Sequence, residues 1–130
     1  MSASADELAA LRIAESVRAT FHEEATLVDA ILLQDGYDEE AYFSWLERFS
    51  QFTTDAVKRG EFTRAAEHLN LISRLLAAGD EATMRCIEVA YVESLLWDIA
   101  DDELKREGWK LVPTNLRALY VAMWGEPAFK

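Results

Sequence analysis

The stretch that decides the fold is Met84 to Ala100, MRCIEVAYVESLLWDIA. At about 100° per residue its apolar side chains point in every direction around a helix, and a helix apolar all round is buried on all sides. Arg85, Glu88, Glu93 and Asp98 interrupt the run, so it lacks the roughly 18 charge-free residues that a spanning helix requires. The expected structure is therefore a small all-α domain with a buried central helix over about residues 81–100.

Working outward, the rest of the chain carries helix punctuation at regular intervals. Ser4 and Glu7 form a capping-box signature, and Leu8, Leu11, Phe21, Val28, Ile31 and Leu32 recur at helical spacing. That pattern predicts one long first helix, Ser4 to Leu33, ended by the turn Gln34-Asp35-Gly36-Tyr37. Asp38, with Glu39 and Glu40 behind it, starts a second helix reaching Arg59, with Tyr42, Trp45, Leu46, Phe49 and Phe52 inward. Gly60 closes it. A third helix runs from Glu61 to Ala78 and stops at Gly79; Asp80 caps the central one. Asp101-Asp102 breaks the chain after Ala100. Leu104 to Glu107 supplies one further turn ended by Gly108, Trp109 to Val112 is either helical or extended, and Pro113 opens a last helix. Leu116, Leu119, Tyr120, Met123 and Trp124 are expected inward there, with Phe129 exposed at the tail. The expected architecture is a single-domain (1–130) antiparallel bundle of about five helices.

Composition bounds the function. The chain holds 24 acidic against 13 basic side chains, a formal net charge of −11. Nucleic acid and anionic lipid both require clustered Lys and Arg, so neither is an expected partner. A basic protein is. Ten of the acids but only two arginines lie in residues 1–40. The single Cys86 falls in the apolar run and reads as a small buried hydrophobe in a reducing compartment. The opening MSASADELAALRIAES has no apolar signal core, so a cytoplasmic protein is expected.

No catalytic constellation emerges. His22 and His68, read as partly exposed helix residues, lack the Glu-x-x-His and His-Glu-x-x-His spacings of bundle and protease metal sites. No metal site and no cofactor is expected. No glycine-flanked serine and no phosphate-cradling glycine loop occurs either, so no catalytic residue is nominated. Glu88 and Glu93 are five residues apart and point about 140° apart on a helix, so they cannot share one small site. They are read as structural buried charges that need a cation, with Arg64, Arg74 and Arg117 as candidate partners.

The acids near the first turn form the leading candidate site. Hairpin geometry gathers Asp35, Asp38, Glu39 and Glu40 at one pole beside Tyr37 and Tyr42. Carboxylates speed the encounter with a basic partner, and aromatic residues supply the anchoring contacts.

Three resemblances bear on the function. Gly60-Glu61-Phe62 to Ala65 resembles the inter-helix part of a tetratricopeptide repeat, which implies αα-hairpin chemistry. The run Ile87-Glu88-Val89-Ala90-Tyr91-Val92-Glu93-Ser94-Leu95 looks like the central helix of a bacterial helical family often encoded beside toxins. More broadly the chain resembles the small acidic all-helical immunity proteins of bacterial toxin–immunity pairs. That resemblance implies a non-enzymatic protein that covers the active cleft of a cognate toxin. Two alternatives stay open: a tetratricopeptide-like adaptor reading a peptide or partner protein, and a small ligand-binding or enzymatic bundle centred on Glu88 or Glu93. The oligomeric state is left open.

Overall fold

In the computed structural model, which describes residues 4–36 and 41–129, the chain is an all-α bundle. Its elements are α1 (Ala5–Thr20), α2 (His22–Gln34), α3 (Tyr42–Lys58), α4 (Phe62–Ala78), α5 (Glu81–Cys86), a π-helical segment (Ile87–Val92), α6 (Asp102–Leu111) and α7 (Thr114–Trp124). No helix is long and apolar enough to cross a membrane among the described residues.

The first helix is not continuous. Ser4 and Glu7 cap it reciprocally as expected, but Phe21 adopts φ −125° and ψ 65° and the chain folds back on itself. Arg18 on α1 thereby meets Asp29 on α2 at 2.6 Å. The cause is Phe21 itself. Leaving the helical path lets its ring enter the core against His68, at 4.7 Å between ring centres, and Phe49, at 6.1 Å. Burying a phenylalanine contributes about 2–3 kcal/mol, more than a broken helical turn at the surface costs.

α3 is the element that most others touch: α1, α2, α4, α6 and the π-helical segment all pack on it. It buries Trp45, Leu46, Phe49, Ala56 and Val57 together with three hydroxyl residues, Ser50, Thr53 and Thr54. Its C-terminus is a Schellman turn. Gly60, at φ 75°, donates its N–H to the Val57 carbonyl, and Glu61 donates to that of Ala56.

The run 81–100 passes through the interior, but as a regular α-helix only as far as Cys86. It widens to π-helix over Ile87–Val92, where Glu93 N–H bonds the Glu88 carbonyl five residues back, and then continues in turns. The hydroxyls of α3 hold this departure in place. Ser50 donates to the Tyr91 carbonyl at 2.6 Å, and Thr54 accepts the Leu96 N–H at 3.0 Å. Backbone groups freed from an α-helix in a dry core must find partners, and these side chains supply them.

Gly108 does not end a helix; α6 runs through it to Leu111, and Trp109 to Leu111 are helical. A Cβ on Gly108 would sit 2.9 Å from Val57 Cγ1 and 3.1 Å from Leu96 Cδ2. The glycine is what lets α6 lie close against α3 and the 93–98 turns. In α7 Leu116 is fully buried, whereas Trp124 is exposed. Phe129 is half-buried, packed edge-on to Trp109 rather than free.

Candidate functional site

Of the predicted acidic pole, Tyr37, Asp38, Glu39 and Glu40 lie outside the described residues. Asp35 is exposed at the end of α2 and meets Arg48 at 3.4 Å, and Tyr42 is half-buried in the first turn of α3. Of the acids upstream, Asp6, Glu24 and Asp29 are tied to the chain's own arginines. Asp29 accepts two hydrogen bonds from Arg18, at 2.6 and 3.0 Å, and one from the Trp45 indole at 2.8 Å. The Arg18 bonds hold its carboxyl below the usual range against the opposing effect of burial.

Glu88 and Glu93 are not the buried charges expected. Glu88 is half-buried and Glu93 exposed, and neither makes an ion pair among the described residues. Two of the nominated arginines are engaged elsewhere. Arg64 binds Glu24, and Arg117 donates to the carbonyls of Val112 and Trp109 at 2.8 Å each. The physical reason is the π-helical widening, which places Glu93 on the turns at the surface instead of on an interior helical face.

The most enclosed charged cluster is one that spacing did not reveal. His68, 1% exposed, accepts or donates at both ring nitrogens: Nε2 lies 2.8 Å from Glu24 and Nδ1 lies 3.1 Å from the Thr53 hydroxyl. Thr53 in turn lies 2.7 Å from the hydroxyl of Tyr91. Glu24 also accepts two bonds from Arg64, each 2.7 Å. A carboxylate has no proton to give, so His68 Nε2–H donates to Glu24. Nδ1 is then the acceptor for Thr53 O–H, and the Thr53 oxygen accepts from Tyr91 O–H. Burial pushes the His68 imidazole below its ordinary value and outweighs the pull of Glu24. Burial pushes Glu24 up, but the bonds from Arg64 and His68 overcome it and leave the carboxyl lowered. Burial also raises the Tyr91 hydroxyl.

This chain of bonds joins α2, α3, α4 and the π-helical segment. Every member has its partner within the protein, and Tyr91 is wholly buried. The cluster forms one wall of a cleft of about 410 Å³ between α2, α3 and α4, where Leu27, Phe52 and Ala56 meet Glu23, Asp55, Arg59 and Glu61. The cleft is of mixed charge. It is neither the apolar nor the basic groove that a peptide-reading adaptor along α3 and α4 requires. His68 could have been placed inward from sequence: it stands on the same helical face as Ala65, Leu69 and Ile72, all buried.

A second face combines exposed aromatic rings with carboxylates. Trp97 and Trp124 are 64% and 57% exposed. Each indole N–H is nevertheless anchored to the protein. Trp97 donates to the Gln51 side-chain oxygen at 2.8 Å, and Trp124 donates to the Glu93 carbonyl at 3.1 Å. Gln51 is itself fixed by donating to Asp55 at 2.9 Å and Asp98 at 3.3 Å. Between α3 and the 93–98 turns, a shallow cleft of about 300 Å³ is lined by Ser44, Glu47, Arg48, Gln51, Ser94 and Trp97. Partial desolvation raises the Glu47 carboxyl above its ordinary range, and the nearby charge of Glu93 raises it further. Helical spacing places Trp124 inward, and Trp97 lies in the run expected to be buried on all sides; both are exposed instead.

No group of three or more His, Cys, Asp or Glu suited to a metal ion occurs among the described residues. Cys86 is buried, and burial pushes its thiol up to about 11, so it is protonated at neutral pH.

No curated protein and no solved structure matches the chain. Residues 14–125 match a protein family described as a domain of unknown function. That span takes in α2 to α7 and both clusters, and the chain belongs to this family, DUF7674.

Proposed function

We propose that the chain is a non-enzymatic binding protein of the cytoplasm: an immunity protein that neutralises a cognate toxin by covering its basic active cleft with an acidic surface. The observation that carries this reading is the uneven pairing of its charges. Arg18, Arg48, Lys58, Arg59, Arg64, Arg85 and Lys110 are consumed in internal ion pairs. Glu47, Glu88, Glu93, Asp102 and Glu103 make no ion pair among the described residues. Arg12, Arg74, Lys105, Arg106 and Arg117 likewise make no ion pair among the described residues, but with a net charge of −11 the excess offered to a partner is negative, which speeds association with a cationic protein and repels nucleic acid. Neutralisation by coverage needs no chemistry, only an interface of roughly nanomolar affinity. The resemblance to acidic all-helical immunity proteins supports the same reading.

The test is rescue. The product of the neighbouring gene is expressed alone and together with this chain in a bacterial host. The expected result is growth arrest relieved by co-expression, with a complex whose association slows as salt is raised. Arrest that persists at equal expression overturns the proposal.

A further inference from the structure

We infer that the surface running from the Trp97 cleft, with Glu47 in its lining, through Glu93 to Trp124 is the docking surface, and that its occupant is a basic segment of the partner protein, which lays an arginine or lysine side chain against the Trp97 ring and the Glu47 carboxylate. This rests on the binding-protein reading above.

Three observations converge on it. The first is exposure without freedom. An unpartnered tryptophan leaves a large apolar area in water, yet both rings are fixed through their N–H groups, to Gln51 and to the Glu93 carbonyl. Fixed aromatic rings lose little entropy when a partner covers them, which is what anchoring residues at interfaces share.

The second is charge. Glu47 stands beside Glu93, and its carboxyl is raised first by partial burial and then by the charge of Glu93, against the opposing pull of Arg48. Arg48 lines the same cleft and offsets part of this, but its guanidinium also reaches Asp35 at 3.4 Å, so it is shared between two carboxylates. A guanidinium or ammonium from outside would relieve that repulsion. The third is shape and chemistry together. The cleft bordered by Glu47, Ser94 and Trp97 offers carboxylate, hydroxyl and aromatic face to one group. That combination suits a cation–π contact with a charge-assisted hydrogen bond. A polyanion or an acidic peptide would meet repulsion at the same place.

The experiment uses the full chain, labelled with nitrogen-15, and hexaarginine as probe, with hexaglutamate as the control. The indole N–H resonances of Trp97 and Trp124 are expected to shift and saturate with hexaarginine while those of the buried Trp45 and Trp109 stay put. Glu47→Gln with Glu93→Gln should weaken the apparent affinity about tenfold, whereas Asp102→Asn with Glu103→Gln on α6 should leave it unchanged. Indoles that do not move, four indoles that move alike, or equal weakening by both pairs of variants overturn the inference. Trp97→Ala with Trp124→Ala is then tested in the rescue assay, with helical content checked by circular dichroism. Lost protection supports the docking surface. Retained protection removes it and leaves the proposed function standing. Saturable indole shifts without any rescue by the wild type remove the proposed function and leave the cation-binding surface. A wild-type dimer that these tryptophan variants dissociate would identify a second copy as the occupant and overturn the basic segment.

Discussion

The Thr54 hydroxyl and the Leu96 backbone amide, 42 residues apart, meet at 3.0 Å in the dry interior between α3 and the turns that follow the π-helical segment. Leu96 has φ 62°, the one positive value at a non-glycine residue among those described. Leucine pays about 1–2 kcal/mol for that conformation, and its side chain, 2% exposed, is packed in the core. The bond to Thr54 and the burial of the side chain together hold the chain in this turn. Thr54→Val keeps the shape and removes the acceptor, so the Leu96 N–H is left buried and unpaired. The expected loss is about 1–3 kcal/mol in urea denaturation, and Thr54→Ser should recover most of it. A Thr54→Val protein as stable as the wild type would show that the turn does not depend on this bond.

Gly108 tests how closely α6 must approach α3. Alanine in an exposed helix is favoured over glycine by about 1 kcal/mol. Here the added methyl would meet Val57 Cγ1 at 2.9 Å in a packed interior, and overpacking of that kind costs about 1–3 kcal/mol. Gly108→Ala is therefore expected to destabilise. Combined with Val57→Ala, which clears the space, it should cost clearly less than the two single changes added together. A double-mutant cycle that shows simple additivity would mean that the contact is not what keeps residue 108 a glycine.

These positions also mark where the sequence was legible. Caps and terminators are plain because they act locally: Ser4, Gly60 and Asp80 each sit at the end they are expected to make. The run 81–100 reads as buried on all sides, but only one side of it is: Cys86, Ile87, Ala90, Tyr91, Leu95 and Leu96 are interior while Met84, Val89, Glu93 and Trp97 reach the surface, and its widening to π-helix is tied to Ser50 and Thr54 some forty residues away. The break at Phe21 was missed for a similar reason, as its benefit lies in His68 and Phe49. A local sign existed all the same: Glu23 and Glu24 stand in the first turn of α2, where acids favour a helix start. Near the predicted acidic pole, Asp29, Asp35 and Glu24 each meet an arginine on another element, information that spacing along one helix does not contain.

The His68 cluster predicts how stability responds to acid. His68 has its pKa lowered from the ordinary 6.5, so near that pH the unfolded chain binds more protons than the folded one. Stability contributed by the neutral imidazole is then complete above pH 6.5 and is lost as the pH falls through the folded value. Glu24 is lowered from 4.5, so its contribution is lost in a second, more acid step. The expected profile is a loss of stability that begins below pH 6.5 and deepens below pH 4.5, measured as the denaturation midpoint. His68→Gln should lower stability at pH 7 and erase the upper step while leaving the lower one. An upper step that survives the substitution belongs to another group.

The Trp97 and Trp124 face makes the opposite kind of prediction, because a surface kept for a partner contributes little to the fold that carries it. Each indole makes one hydrogen bond and leaves more than half of its area in water, so Trp97→Ala and Trp124→Ala should each cost no more than about 1 kcal/mol. Trp45→Ala, by contrast, empties a site that is 4% exposed and should cost about 3–5 kcal/mol. Glu47 carries the argument further. Its carboxyl is raised above the ordinary 4.5 by desolvation and by Glu93, so the folded protein binds the extra proton and stability falls as the pH rises through that range. Glu47→Gln removes a charge that the fold does not favour, and it should raise the melting temperature at pH 7 while flattening this descent. Should the glutamine variant melt lower than the wild type at neutral pH, Glu47 would be a residue that holds the fold together, not one whose charge is held against the fold's interest for a cation from outside.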